Sequence, residues 1–174
     1  MSQSGSKLVV VLGSLALALA AASWWYRFES AHRSTQFWGP ETAQLIVEPG
    51  QVEALSLQLA AEGEKRAVDL LPLLGDAYTV VSRLDLTNAP GMVHLRHALT
   101  SDSNYVWSQS AAAPAAWRWA LRFQDADRQL LVLFTADLAT LGKSATGSPP
   151  LEMISCQPMA ETLQQYFTAL GLSN

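Results

Sequence analysis

The sequence predicts an α+β protein: an N-terminal transmembrane helix, then one domain in which two helices pack on an antiparallel β-sheet. Three observations lead there. Leu8 to Tyr26, LVVVLGSLALALAAASWWY, is a run of nineteen residues with no Lys, Arg, Asp, Glu or His. Trp117, Trp119, Leu121 and Phe123 alternate with Arg118, Ala120, Arg122 and Gln124, the two-residue period of a half-buried strand. Finally, strand-like and helix-like segments follow one another as strands, helix, strands, helix, an order typical of α+β domains.

The apolar run sets the domain organisation. Nineteen helical residues reach roughly 28 Å, close to the hydrocarbon thickness of a bilayer. Lys7 precedes it and Arg27 follows, while Trp24, Trp25 and Tyr26 stand where amphipathic rings favour the headgroup layer. Residues 1–6 are read as disordered, 7–27 as the anchor or an uncleaved signal, 28–40 as a juxtamembrane linker and 41–174 as the globular domain. The bilayer is thus the first partner, met through 8–26, with Leu8, Leu12, Leu15, Leu19, Trp24, Trp25 and Tyr26 as anchor residues. A cleavable signal peptide is the alternative. Ala20-Ala21-Ala22 suits its cleavage site, and the mature chain would then be secreted. Basic residues are balanced across the segment, Lys7 and the amino terminus against Arg27 and Arg33. The reading carried forward places the domain outside the cytoplasm.

Charge narrows the functional classes. Residues 1–34 hold three basic side chains against one acidic; the remainder holds 8 against 14, a net charge of −6. Nucleic-acid binding relies on neutralising phosphates, so no nucleic-acid partner is expected. Cys156 is the only cysteine, which rules out an intramolecular disulfide.

Along the domain, Phe37-Trp38-Gly39-Pro40 ends any extension of the first helix. Ala43 to Glu48 reads as a strand, and Val52 to Leu59 as another through the alternation of Leu55, Leu57 and Leu59 with Ser56 and Gln58, although the same letters also allow a helix. Ala60 to Lys65 reads as a loop. Tyr78 to Leu86 forms a strand with Tyr78, Val80, Leu84 and Leu86 on one face. Thr87-Asn88-Ala89-Pro90 caps a helix running to Thr100, with Met92, Leu95 and Leu99 inward. A turn at Asp102 to Asn104 leads into a short strand, Tyr105 to Trp107, and an Ala/Pro loop spans 110–116. After the 117–124 strand, Asp125 to Arg128 turns the chain. Gln129 to Ala136 returns as a strand apolar on both faces and therefore central. Thr140 to Pro150 reads as a flexible loop and Leu151 to Cys156 as the last strand. Pro158 opens a helix lined by Met159, Leu163, Tyr166, Phe167 and Leu170, stopped by Gly171.

Two segments, SRLDLTNAPGMVHLRHALTSDSNYVW (82–107) and WRWALRFQDADRQLLVLF (117–134), resemble parts of uncharacterised single-span membrane proteins of planctomycete-type bacteria. The resemblance covers about a third of the chain. It implies a bacterial membrane setting and assigns no chemistry.

Candidate sites are few. His94 and His97 stand three apart on the predicted helix and could share a metal, but lack a third ligand nearby. Cys156 with either histidine could form a nucleophile–base pair, although a free cysteine is more often a buried, inert thiol. Asp125-x-Asp127 lacks the Gly and terminal Glu of a calcium loop and suits a turn. Arg118, Arg122 and Arg128 project from the hairpin, as a solvated outer face or a patch for anionic headgroups or an acidic partner. No cofactor, metal or catalytic set is expected. The function expected is a membrane-anchored, non-catalytic domain that binds an unidentified protein or serves an envelope assembly. The alternatives are a small tethered hydrolase using His94, His97 or Cys156, and a domain holding an apolar ligand against Trp117, Trp119 and Phe123.

Overall fold

A computed structural model of the chain describes residues 3–30, 33–60, 70–73, 76–110, 114, 116–145 and 152–172, with side chains of the first helix described at 11–25. That helix, α1 (Gln3–Ser30), is 28 residues long, and its apolar residues are spread evenly around it. Every described side chain on it is exposed, among them Leu17, Leu19, Trp24 and Trp25. Among the described residues no helix is long and apolar enough to cross a membrane. The spanning helix expected at 7–27 therefore rests on the sequence.

The domain is α+β. Strands β1 (Gln51–Leu59), β2 (Leu70–Leu73), β3 (Asp76–Asp85), β4 (Val106–Ser110), β5 (Trp119–Gln124), β6 (Gln129–Phe134), β7 (Thr140–Ala145) and β8 (Glu152–Ser155) form one sheet in the order β2-β3-β1-β5-β6-β7-β8-β4. All of the pairings are antiparallel. Helices α2 (Arg33–Trp38), α3 (Pro40–Val47), α4 (Met92–Thr100) and α5 (Ala160–Ala169) complete the domain, two more than expected. Ser34 and Trp38, inside the stretch read as a linker, are buried, so packing starts ahead of residue 41.

Strand β6 lies between β5 and β7, and its residues Leu130 to Phe134 are all buried. Alternation sends Leu130, Val132 and Phe134 to one face, where Trp38, Ile46, Leu99, Leu163 and Phe167 bring in the helices. Leu131 and Leu133 point to the opposite face and pack with Leu55, Leu57, Tyr78, Trp117 and Ala120. Full burial of each such side chain contributes about 1.5–3 kcal/mol, which makes this strand the centre of the core.

Five expectations need correction. Residues 43–47 are helical, because Pro40 and Glu41 occupy the first turn of α3 and Leu45 and Ile46 form its buried side. A six-residue stretch with four apolar positions fits either period, and packing decides it. Within 140–150, Thr140 to Ala145 is a strand: its ladder partners β6 and β8 supply order that its Gly and Ser do not.

The single face expected for 78–86 is split. Leu57 pairs with Val80 but Ser56 with Ser82, leaving Val81 as an extra residue in β3. This bulge sends Tyr78 and Val80 to one face and Leu84 and Leu86 to the other. Trp117, ahead of β5, likewise joins the face opposite Trp119, and its amide donates to the Tyr78 hydroxyl at 3.3 Å.

The cap of α4 is also displaced. The helix starts at Met92, behind Gly91 at φ 82°. The Thr87 amide and hydroxyl instead donate to Asp85 Oδ1 at 2.9 and 2.6 Å, and the same hydroxyl accepts from Val52 N at 3.1 Å.

The hairpin 117–134, the inward set Met92, Leu95 and Leu99, and the closing helix agree with expectation. Gly171, at φ 76°, ends α5 with the paired bonds of a Schellman motif: Gly171 N donates to Thr168 O at 3.0 Å and Leu172 N to Phe167 O at 2.9 Å. The loop read at 60–65 and the Ala/Pro loop at 110–116 fall largely outside the described residues.

Two predictions follow from these turns. A Cβ on Gly91 would lie 2.8 Å from Tyr166 Cε2, in a left-handed backbone. Gly91→Ala should therefore destabilise the domain by roughly 1–2 kcal/mol from backbone strain alone, seen as a thermal midpoint several degrees lower; an unchanged midpoint would contradict the packing. In the β6–β7 turn, Asp137 Oδ1 accepts from the Thr135 hydroxyl at 2.6 Å and from Ala139 N at 3.1 Å. These bonds, the hydroxyl's first, hold the carboxyl below its ordinary value. A folded-state value below the unfolded one, about 3.9, contributes stability above that pH and loses it as pH falls through the folded value. Denaturant titrations should show Asp137→Asn less stable than the parent at neutral pH, with the gap closing below about pH 4. A gap constant down to pH 2 would refute this role.

Candidate functional site

The residues singled out from the sequence do not assemble. His94 and His97 are exposed on α4, away from its buried Met92, Leu95 and Leu99. Cys156 is fully buried. Its Sγ donates to Leu138 O at 3.1 Å, and burial pushes the thiol up to about 12. A buried neutral thiol bonded to a carbonyl is neither a nucleophile nor a ligand. Among the described residues no group of three His, Cys, Asp or Glu could hold a metal ion.

Asp125 is consumed by its own turn. Its Oδ1 accepts from Arg128 N at 2.9 Å and Asp127 N at 3.3 Å, and its Oδ2 accepts from Arg128 Nε at 3.0 Å. The Arg128 guanidinium, first, together with those amides, holds this carboxyl below the usual range.

The three hairpin arginines are likewise engaged. Arg122 forms an ion pair with Glu53, directly opposite it on β1, and both side chains are more than four-fifths covered. Arg128 pairs with Asp125, and the Arg118 guanidinium lies 5.4 Å from the centre of the Trp119 ring. The patch is therefore stitched to the sheet, and Arg122 is covered where a solvated face was expected. The aromatic set proposed to line an apolar cavity is divided between faces, Trp117 on one and Trp119 with Phe123 on the other. A recess of about 250 Å³ does open beside Trp119, but between Leu138, Phe167, Gln164 and Leu172, without Phe123.

A different constellation emerges where the chain enters the domain. The last turn of α4 leaves carbonyls without helical partners. Side chains from other segments satisfy them. Ser34 Oγ donates to Thr100 O at 2.6 Å and Trp38 Nε1 to Leu99 O at 2.7 Å. The Tyr105 hydroxyl also donates to Leu99 O, and Asn104 Nδ2 reaches Ala98 O at 2.9 Å. Burial pushes the Tyr105 hydroxyl well above its ordinary value, keeping it a neutral donor.

From the other direction, Ser34 N donates to Asp102 Oδ1 at 2.7 Å. Lys143 on β7 donates to Phe37 O, sits 4.7 Å from the centre of the Phe37 ring and pairs with Glu152 at 3.1 Å. Helix α2 is thus clamped at both ends, by the α4 terminus and by the sheet. The clamp escaped sequence reading because the partners of α2 lie 61 to 106 residues away. Its one visible trace was aromatic density at Phe37-Trp38 and Tyr105 to Trp107.

Beside the clamp, an open groove of about 640 Å³ runs between α2 and β4, lined by Arg33, Gln36, Phe37, Trp107 and Ser108. Phe37 and Trp107 meet edge to face with ring centres 6.4 Å apart, and Trp107 Nε1 donates to Asp102 O at 2.9 Å. No family model, curated protein or solved structure matches the chain.

The burial of Cys156 is directly testable. A thiol reagent at neutral pH should leave the native chain unmodified and react within minutes once denaturant unfolds it. Rapid labelling of the folded chain would place the thiol in an open site and reopen nucleophile chemistry there.

Proposed function

We propose that this chain is a single-span membrane protein whose domain is a non-catalytic interaction or assembly module held at the bilayer surface. The observation that carries the reading is α1: apolar on every side and exposed at every described position, so nothing in the domain covers it. An apolar helix without a polar face needs an apolar surrounding. The nineteen-residue run from Leu8 to Tyr26, the Trp24-Trp25-Tyr26 belt and the flanking Lys7 and Arg27 match a bilayer. The domain is placed outside the cytoplasm, and cleavage near Ala22 would release it instead.

A module of this kind works by position, and the clamp on α2 supports that role. It ties the first residues after the anchor to the core, so the domain stays close to its point of attachment. The hydrolase reading has no such support, since the Cys156 thiol is buried while His94 and His97 face solvent. The partner is a protein met at the membrane surface.

Carbonate extraction of cells expressing the full chain tests the anchor. The parent chain should stay in the membrane pellet at its full-length size. Replacing two leucines near the helix centre, Leu15→Arg with Leu17→Arg, changes insertion by roughly 6–8 kcal/mol and should move the chain to the supernatant. A parent chain that is freely soluble would overturn the proposal, and a product shortened by about two dozen residues would favour the cleaved form.

A further inference from the structure

We propose that the groove between α2 and β4 is the membrane-facing surface of the domain and seats an anionic phospholipid headgroup of the bilayer that holds α1. The inference rests on the membrane reading above and adds which surface touches lipid, and through what.

Covalent geometry limits the choice of surface. Helix α1 ends at Ser30 and α2 begins at Arg33, so two residues lie between them and the three peptide units span at most about 11 Å. The clamp then denies α2 any freedom to swing away. Ser34, Phe37 and Trp38 are each tied to α4, the 102–104 turn or β7. Residues lining the α2 groove are therefore tethered closest to the end of the anchor. By contrast Val81, on the second strand from the opposite edge of the sheet, lies six strand spacings from β4, roughly 28 Å along the sheet.

The chemistry of the groove suits that location. Arg33 is exposed at its rim, and its side chain makes no hydrogen bond or ion pair among the described residues. A guanidinium presents a fork of donors matched to phosphate oxygens. Gln36 and Ser108, both exposed, add an amide and a hydroxyl beside it. Phe37 and Trp107 form the half-buried floor. The Trp107 N–H is already committed to Asp102 O, so its ring is left as an apolar contact for the upper acyl and glycerol region.

Charge selects an anionic headgroup over a zwitterionic one. Residues 35–174 carry a net −6, which an anionic leaflet repels. A cationic, aromatic-floored groove is the part of the domain such a leaflet attracts.

The test uses the full-length chain carrying Ser108→Cys, labelled with a fluorophore; the buried Cys156 stays unreacted. A second sample carries the label at Val81→Cys, an exposed position. Both are reconstituted into vesicles of phosphatidylcholine alone or mixed with phosphatidylglycerol, and vesicle flotation and quenching by aqueous iodide are read separately. The expected result is co-flotation in every case. The Ser108 label should be shielded several-fold relative to the Val81 label in phosphatidylglycerol vesicles only, and Arg33→Gln should abolish the shielding without affecting flotation. A chain that floats while the two labels quench alike overturns the groove proposal and leaves the anchor standing. Shielding that is equal in both lipids, that survives Arg33→Gln, or that appears only when a soluble protein is added overturns it too. A chain that does not float removes both readings.

Discussion

Strand β6 is apolar on both faces and paired on both edges, and the domain is arranged to satisfy it. A strand of that kind cannot lie on a surface. It needs a ladder partner on each side and an apolar layer above and below. The helices provide one layer through Trp38, Ile46, Leu99, Leu163 and Phe167. On the other face Leu55, Leu57, Tyr78 and Trp117 join Leu131 and Leu133 in a second apolar cluster. The bulge at Val81 lets one strand serve both layers, giving Tyr78 and Val80 to one face and Leu84 and Leu86 to the other. Without that extra residue, a strict period of two would commit all four to the same side.

The second organising feature is the C-terminal end of α4. Carbonyls there must find donors or lose their bonding on burial, at about 1–3 kcal/mol each. Ser34, Trp38, Asn104 and Tyr105 supply those donors, and in doing so bring the chain's entry point and the 102–107 segment together. What looked like a linker becomes part of the core. Only two residues separate α1 from the clamped α2.

These features separate structural chemistry from reactive chemistry. Several of the titratable groups that might have signalled chemistry are already occupied, while His94 and His97 face solvent. Cys156 is bonded to a carbonyl, Asp125 to its turn, Arg122 to Glu53 and Lys143 to Glu152 and Phe37. Arg33 at the rim of the α2 groove differs, because its charge faces solvent at the place where the chain leaves α1.

Legibility in the sequence followed the range of the forces involved. The apolar run of α1, the 117–134 hairpin, the inward face of α4 and the Gly171 stop were readable, because each depends on neighbours within one strand or a few helical turns. The candidate site was not. His94, His97, Cys156 and the arginines attract notice by residue type, yet what they do depends on burial and on partners distant in the chain. The short segments 43–48 and 140–145 were misread for the same reason: their composition fits two states, and contacts with α4 or with β6 and β8 choose between them. Sequence by itself determined the periodic elements and the existence of an uncovered apolar helix, since side-chain spacing and hydropathy are local properties. Only the tertiary structure decided which face Tyr78 and Trp117 occupy and that residues 33–38 belong to the core, because a ladder register and a shared carbonyl join residues that the sequence holds far apart.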